Sequence, residues 1–200
     1  MKDKKRANRL LIGITGTPGV GKTHFSKELG RKLESLGIPS KTIEINDIVL
    51  KKHVYSGADE FGSKIIVERT LREEMKKEVS DAGVTIVVGH LLPETGLHPD
   101  ICIALRQDLK TLANRLSKRH YPTAKIRENL LSEAYDDIGT RVKSMCHEFY
   151  EAGNEEQRQK AIQYICGKAS GSKAIRPKKV EIDRFEELKE LIIKGNRFGF

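Results

Sequence analysis

Residues Gly16–Thr23 read GTPGVGKT, the pattern G-x-x-x-x-G-K-[ST], and follow directly on the apolar run Leu10-Leu11-Ile12-Gly13-Ile14. This loop constrains the fold because its glycines turn backbone N–H groups around a phosphate chain only when a strand enters it and a helix leaves it. Phe25, Leu29, Leu33 and Leu36, with Gly37 beyond them, have the spacing of that helix. In such a loop Gly19 and Gly21 supply backbone donors and Lys22 reaches the β/γ-phosphates. The Thr23 hydroxyl ligates Mg²⁺, and His24 offers its main-chain N–H toward the α-phosphate. The chain is therefore expected to bind a nucleoside triphosphate.

The remaining pattern alternates strands with helices. Thr42–Ile45 reads as a short strand, followed by a polar, glycine-containing segment over 46–62. Val67, Leu71, Met75 and Val79 define a second helix closed by Gly83, and 85–88 and 101–105 are apolar runs of the buried parallel type. Asp108 is placed to cap a helix carrying Leu109, Leu112 and Leu116, interrupted by residues 120–122. A long stripe follows through Ile126, Leu130, Ala134, Ile138, Val142, Met145 and Phe149. Asn154/Gln157 and Asp183/Glu186 have capping-box spacing for two more helices, the last burying Phe185, Leu188, Leu191 and Ile192, and 179–182 reads as a final strand. This order predicts an α/β, three-layer P-loop NTPase fold with a parallel sheet in a single domain over 1–200, ligands lying at the carboxyl ends of the strands.

Two hundred residues with 38% hydrophobic and 32% charged composition suit one globular domain. No apolar run approaches the roughly 18 residues of a membrane span, and the basic start Met1–Arg9 lacks the apolar segment of a signal peptide, so a cytoplasmic location without membrane contact is expected. Cys102, Cys146 and Cys166 are odd in number and far apart in sequence, which suggests reduced, mostly buried thiols. The net charge of +9 is concentrated partly in Lys2–Arg9 and partly in a basic loop over 168–179 that holds no acidic residue. Solvated tails and contacts with a polyanion are both open readings of these segments.

A phosphate loop alone does not choose a reaction. The chain has no [NT]-K-x-D guanine-reading segment and no L-S-G-G-Q signature, which leaves a compact kinase. GTPGVGKT, VVGHLLPE at 87–94, LRQDLKTLANRLSKRHY at 105–121 and KIRENLLSEA at 125–134 together resemble the adenylate kinase isoenzyme 6 family over most of residues 10–140. The resemblance implies a nucleoside monophosphate kinase-like fold, an acceptor segment at about 44–67 and a lid at about 118–128. It further implies transfer of the ATP γ-phosphoryl group to AMP or a related monophosphate with accompanying ATPase activity. A role in small ribosomal subunit maturation, with a platform ribosomal protein and rRNA as partners, is implied as well.

Arg119 matches the family's lid arginine; Arg115 and Arg127 read equally as phosphate-directed cations or as a solvated helix face. Asp47 matches an acidic acceptor-segment position and reads equally as a helix cap. Two positions depart from the family. Val88 stands where Asp-x-His would place a metal-supporting carboxylate, leaving His90 to orient water or to be structural. Leu50 stands where the acceptor-phosphate arginine is expected, with Lys51 and Lys52 beside it. A nucleotide-dependent assembly factor and a kinase of another small metabolite remain as alternatives.

Overall fold

The computed structural model describes residues 9–60, 62–79, 83–180 and 182–193. In chain order its elements are β1 (Leu10–Thr15), α1 (Lys22–Ser35), β2 (Ser40–Glu44), α2 (Ile45–Lys51), β3 (Tyr55–Ala58), β4 (Lys64–Ile66), α3 (Glu68–Glu78), β5 (Val84–Val88), β6 (Ile101–Leu105), α4 (Leu109–Lys118), α5 (Thr123–Ala134), α6 (Asp137–Lys143), β7 (Glu148–Ala152), α7 (Glu155–Ser170) and α8 (Phe185–Ile193). Five strands make one parallel sheet in the order β2-β5-β1-β6-β7, and β3 pairs antiparallel with β4.

Alternation along the central strands explains why the sheet is covered twice. Ile12, Ile14, Ile86, Val88, Ile101, Ile103 and Leu105 pack with α1, α4, α5 and α7. Leu11, Val87 and Cys102 face the other way, among Val49 of α2, Leu71 and Met75 of α3, and Val142 of α6. Strands buried on both faces read as continuous apolar runs, and helices must then form the outer layers. Phe25, Leu29 and Leu33 of α1 are at most 1% exposed, and each contributes about 1.5–3 kcal/mol by leaving water. Leu36 lies at the C-cap of α1 and is exposed.

Several expectations change. The stripe over 126–149 is not one helix. It breaks at Asp136, whose φ of 52° is left-handed, into α5 and α6, and Phe149 belongs to β7 beside Cys102. The segment over 46–62 holds α2 and half of the β3–β4 hairpin, because Ile48, Val49 and Val54 are buried. Residues 179, 180 and 182 form no strand, and 181 lies outside the described residues. In α8 only Leu188 is buried; Phe185 and Ile192 are 40% and 46% exposed. Asp183 there accepts from the Phe185 N–H at 2.8 Å.

The Asp108 cap forms through the Thr111 N–H at 2.7 Å, and Asn154 with Gln157 makes a complete capping box. All three cysteines are free, but Cys102 and Cys146 are not apart in space. The Cys146 thiol nearby, with burial, pushes the Cys102 thiol well above its ordinary range. No described helix is long and apolar enough to cross a membrane. The basic cluster at Lys2–Arg6 lies outside the described residues.

Candidate active site

The phosphate loop leaves the carboxyl end of β1 at the centre of the sheet. Two of its glycines are dictated by space. A Cβ on Gly16, at φ 129°, would collide with the Leu105 carbonyl oxygen, and one on Gly19, at φ 99°, would lie 2.8 Å from Leu112 Cδ1. Gly21, also left-handed, is the N-cap of α1, so the helix dipole begins at the loop.

Cationic side chains from three helices, α1, α4 and α7, occupy the loop's carbonyls. Lys22 Nζ donates to the Gly16 oxygen at 2.7 Å and the Thr17 oxygen at 3.1 Å. Arg115 of α4 donates to the Gly19 oxygen at 3.1 Å. Arg158 of α7 donates to the Val20 oxygen at 3.1 Å and to the Arg106 oxygen at 3.3 Å. Arg115 is thus a brace of the loop rather than a solvated helix residue, and α7 contributes to a site that the sequence reading confined to residues before 140. Burial pulls the Lys22 ammonium down to about 8, with Glu133 and Glu44 opposing and Arg119 assisting.

Beneath the loop lies a buried ionic cluster. Glu133 of α5, 1% exposed, accepts from Thr17 Oγ1 at 2.6 Å, Arg106 Nε at 2.9 Å and the Gln107 N–H at 3.0 Å. Arg106, 2% exposed, also pairs with Asp136 at 2.8 Å and Glu151 at 3.2 Å. Burial and the neighbouring Glu151 raise the Asp136 carboxyl to about 6 against the pull of Arg106. The left-handed turn that ends α5 therefore also brings Asp136 to Arg106. These residues come from the phosphate loop, the segment after β6, α5 and the turn that ends it, and β7, and no local pattern in the sequence announces the cluster.

Arg119 is the exposed C-cap of α4, and its charge reaches Lys22. His90 follows β5, and burial, with Lys22 and Lys125 nearby, pulls its imidazole down to about 4, so it is neutral at pH 7. Arg119 and His90 thus both lie within electrostatic reach of Lys22. Thr23 and His24 are exposed at the start of α1, and the His24 N–H bonds the Gly21 oxygen at 3.1 Å. Thr23 also lies beside Glu44, at the carboxyl end of β2. Burial raises the Glu44 carboxyl above its ordinary value, against the pull of the Thr23 hydroxyl.

A cavity of about 390 Å³ opens beside Pro18 and His90. Asn46 and Leu50 of α2, Lys64 of β4, Lys125 of α5 and Arg141 of α6 line it. Lys125 pairs with Glu128 at 2.9 Å, and Arg141 with Glu94 at 2.8 Å. Lys51 instead is 73% exposed and lies 3.6 Å from Asp47. The cations at the cavity are therefore supplied from β4, α5 and α6 rather than by the lysines next to Leu50. Only the convergence of β4, α5 and α6 on one cavity could have revealed this.

The family model described as "AAA domain" matches residues 12–136. A protein of Methanosarcina barkeri named "Putative adenylate kinase" is 35% identical over 145 residues, covering 71% of this chain and 75% of its own length. The chain belongs to this adenylate kinase family. Another relative of the same name, from Methanocaldococcus jannaschii, is 37% identical over 129 residues, or 62% of this chain and 67% of its own length. The shikimate kinase from Acinetobacter baumannii in complex with shikimate has the same fold, with a TM-score of 0.53 over 81% of this chain and 96% of that one at 15% identity. The matched region of the family ends at the left-handed Asp136, so β7, α7 and the segment beyond extend past it.

Proposed function

We propose that this protein is a nucleoside monophosphate kinase that transfers the γ-phosphoryl group of ATP to AMP or a related monophosphate. One observation carries the reading: the phosphate loop borders, at Pro18 and next to His90 after β5, a separate cavity that cations enter from three elements. Donor and acceptor phosphates then meet between Lys22 and the cavity. A volume of about 390 Å³ falls in the ordinary range of small-molecule sites.

On the donor side, the N–H groups of Gly19 and Gly21 and the main chain of His24 hold the phosphate chain. Lys22 leaves the Gly16 and Thr17 carbonyls for the β/γ-oxygens, and the phosphates restore its full charge. Arg119 closes over the transferring group from the lid at about 118–128. On the acceptor side, Lys125 and Arg141 exchange part of their pairing with Glu128 and Glu94 for the monophosphate. An oxygen of the ionised acceptor phosphate attacks the γ-phosphorus while the β–γ bridging oxygen departs with ADP. No general base is needed, because positioning and charge neutralisation carry such a transfer. Neutral His90 orients the acceptor or a water by hydrogen bonding rather than by charge.

The oxygen donors at the start of α1, the Thr23 hydroxyl and the Glu44 carboxylate beside it, fit Mg²⁺, which prefers hard oxygen ligands completed by substrate phosphates. When bound, Mg²⁺ supplies charge neutralisation at the β- and γ-oxygens. The reading is tested by ADP formation from MgATP against a panel of nucleoside monophosphates and hydroxyl acceptors such as shikimate. Transfer to at least one monophosphate is the expected result, and transfer to hydroxyl acceptors alone would refute it.

A second reading, a nucleotide-dependent assembly factor for the small ribosomal subunit, is favoured by the exposed Lys173, Lys178 and Lys179 beyond α7. Part of that basic loop is neutralised internally, since Glu148 pairs with Lys168 at 3.2 Å and Arg176 at 3.3 Å. Co-purification with pre-ribosomal particles in ATP- or ADP-loaded form is the expected result, and its absence in both states would exclude the reading.

A further inference from the structure

The position that should carry a metal-supporting carboxylate on β5 is Val88, a fully buried apolar residue. Its register partner on the adjacent strand is Glu44, the last residue of β2. Glu44 is half-buried, and its carboxylate lies beside the Thr23 hydroxyl and within electrostatic reach of Lys22. We infer that Glu44 supplies from β2 the metal-supporting carboxylate that β5 lacks, holding the hydrated Mg²⁺ of the bound nucleotide next to Thr23. The inference rests on the kinase reading only in so far as the phosphate loop binds nucleotide.

Competing carboxylates are otherwise engaged. Asp47, three residues on, is exposed and pairs with Lys51. Glu133 is enclosed by Thr17, Arg106 and Gln107. Glu44 lies beside the Thr23 hydroxyl at the point where the loop becomes helix, so a cation admitted between the two groups meets an oxygen from each. Its placement also follows from the backbone. Glu44 is the N-cap of α2, and an extended φ of −82° and ψ of 116° carries the chain from the sheet edge into that helix.

The test uses Mn²⁺ as the metal, read by electron paramagnetic resonance in the presence of saturating ADP, together with ADP affinity in EDTA. Glu44→Gln retains size and the capacity to bond Thr23 but removes the charge. It is expected to bind ADP in EDTA within about twofold of wild type, to unfold at a similar temperature, and to bind Mn²⁺ at least about tenfold more weakly, the scale for losing a ligand-supporting group. Unchanged Mn²⁺ affinity in E44Q with ADP still bound overturns this inference alone. A loss in Asp47→Asn with E44Q unaffected overturns it too. Failure of the wild-type protein to bind ADP in either condition overturns the nucleotide reading with it.

Discussion

Removing Glu133 tests whether the ionic cluster under the phosphate loop holds the loop in shape. In Glu133→Ala three donors lose their acceptor: the Thr17 hydroxyl, the Gln107 N–H and the Arg106 Nε. Each buried neutral donor left unsatisfied costs about 1–3 kcal/mol. Breaking a buried ion pair costs about 3–5 kcal/mol, but Arg106 keeps Asp136 and Glu151, so the lower end applies to that part. Relaxation and entering water recover some of this, and a net loss of about 4 kcal/mol is expected for E133A. Glu133→Gln keeps an acceptor oxygen and loses only the charge, for about 2 kcal/mol. Urea unfolding at pH 7 reads both: with a slope of about 2 kcal/mol/M, the midpoints fall by about 2 M and 1 M. Because Thr17 is part of the loop, ATP affinity of the folded variants should fall by about tenfold in E133A and less in E133Q. A loss below about 1 kcal/mol in E133A, or ATP affinity unchanged in a destabilised protein, would refute the argument that the cluster supports the loop.

Lys22 titrates near 8 in the free protein and is expected to regain its charge against phosphate, so ATP binding at pH 8 should take up about half a proton; calorimetry in buffers of different ionisation heat measures this, and zero uptake contradicts it. His90 has a depressed value of about 4 against about 6.5 unfolded, so the unfolded chain binds more protons between them. Stability should therefore be fully present above pH 6.5 and fall by up to about 3 kcal/mol as pH drops to 4, and His90→Gln should flatten this slope in urea titrations. Arg119→Ala, at an exposed position, should leave the melting temperature unchanged and lower kcat by about 10²-fold, whereas Arg141→Ala should raise the acceptor KM by about tenfold with little change in the ATP KM.

Local signals in the chain carried the centre of the fold. The strand before the loop, α1, β5, β6 and the Asp108 and Asn154 caps follow from short-range rules that the tertiary structure did not override. Strand β7 was hidden because Val142, Met145 and Phe149 continue the helical spacing of α5, and nothing local marks the left-handed turn at Asp136. Its pairing with β6 decides the matter through long-range contacts.

The same division separates what was legible in the site. Lys22, Thr23 and the glycines belong to a contiguous motif. Glu44, Glu133, Arg141 and Arg158 reach the site from distant elements as ordinary polar residues of strand ends and helix faces. Val88 and Leu50 were visible as departures from the family pattern, but the neighbouring carboxylate and cations could be seen only once β2 lay beside β5 and α6 lined one cavity with the hairpin.

The central claim is that the loop and the cavity form one site for phosphoryl transfer. Single-turnover reaction of ATP labelled in its γ-phosphate, with AMP and the other common nucleoside monophosphates offered in turn under Mg²⁺, measures it directly. The label should appear in the corresponding diphosphate with wild-type protein and should vanish with Lys22→Met. Label found only in inorganic phosphate for every acceptor would contradict the account.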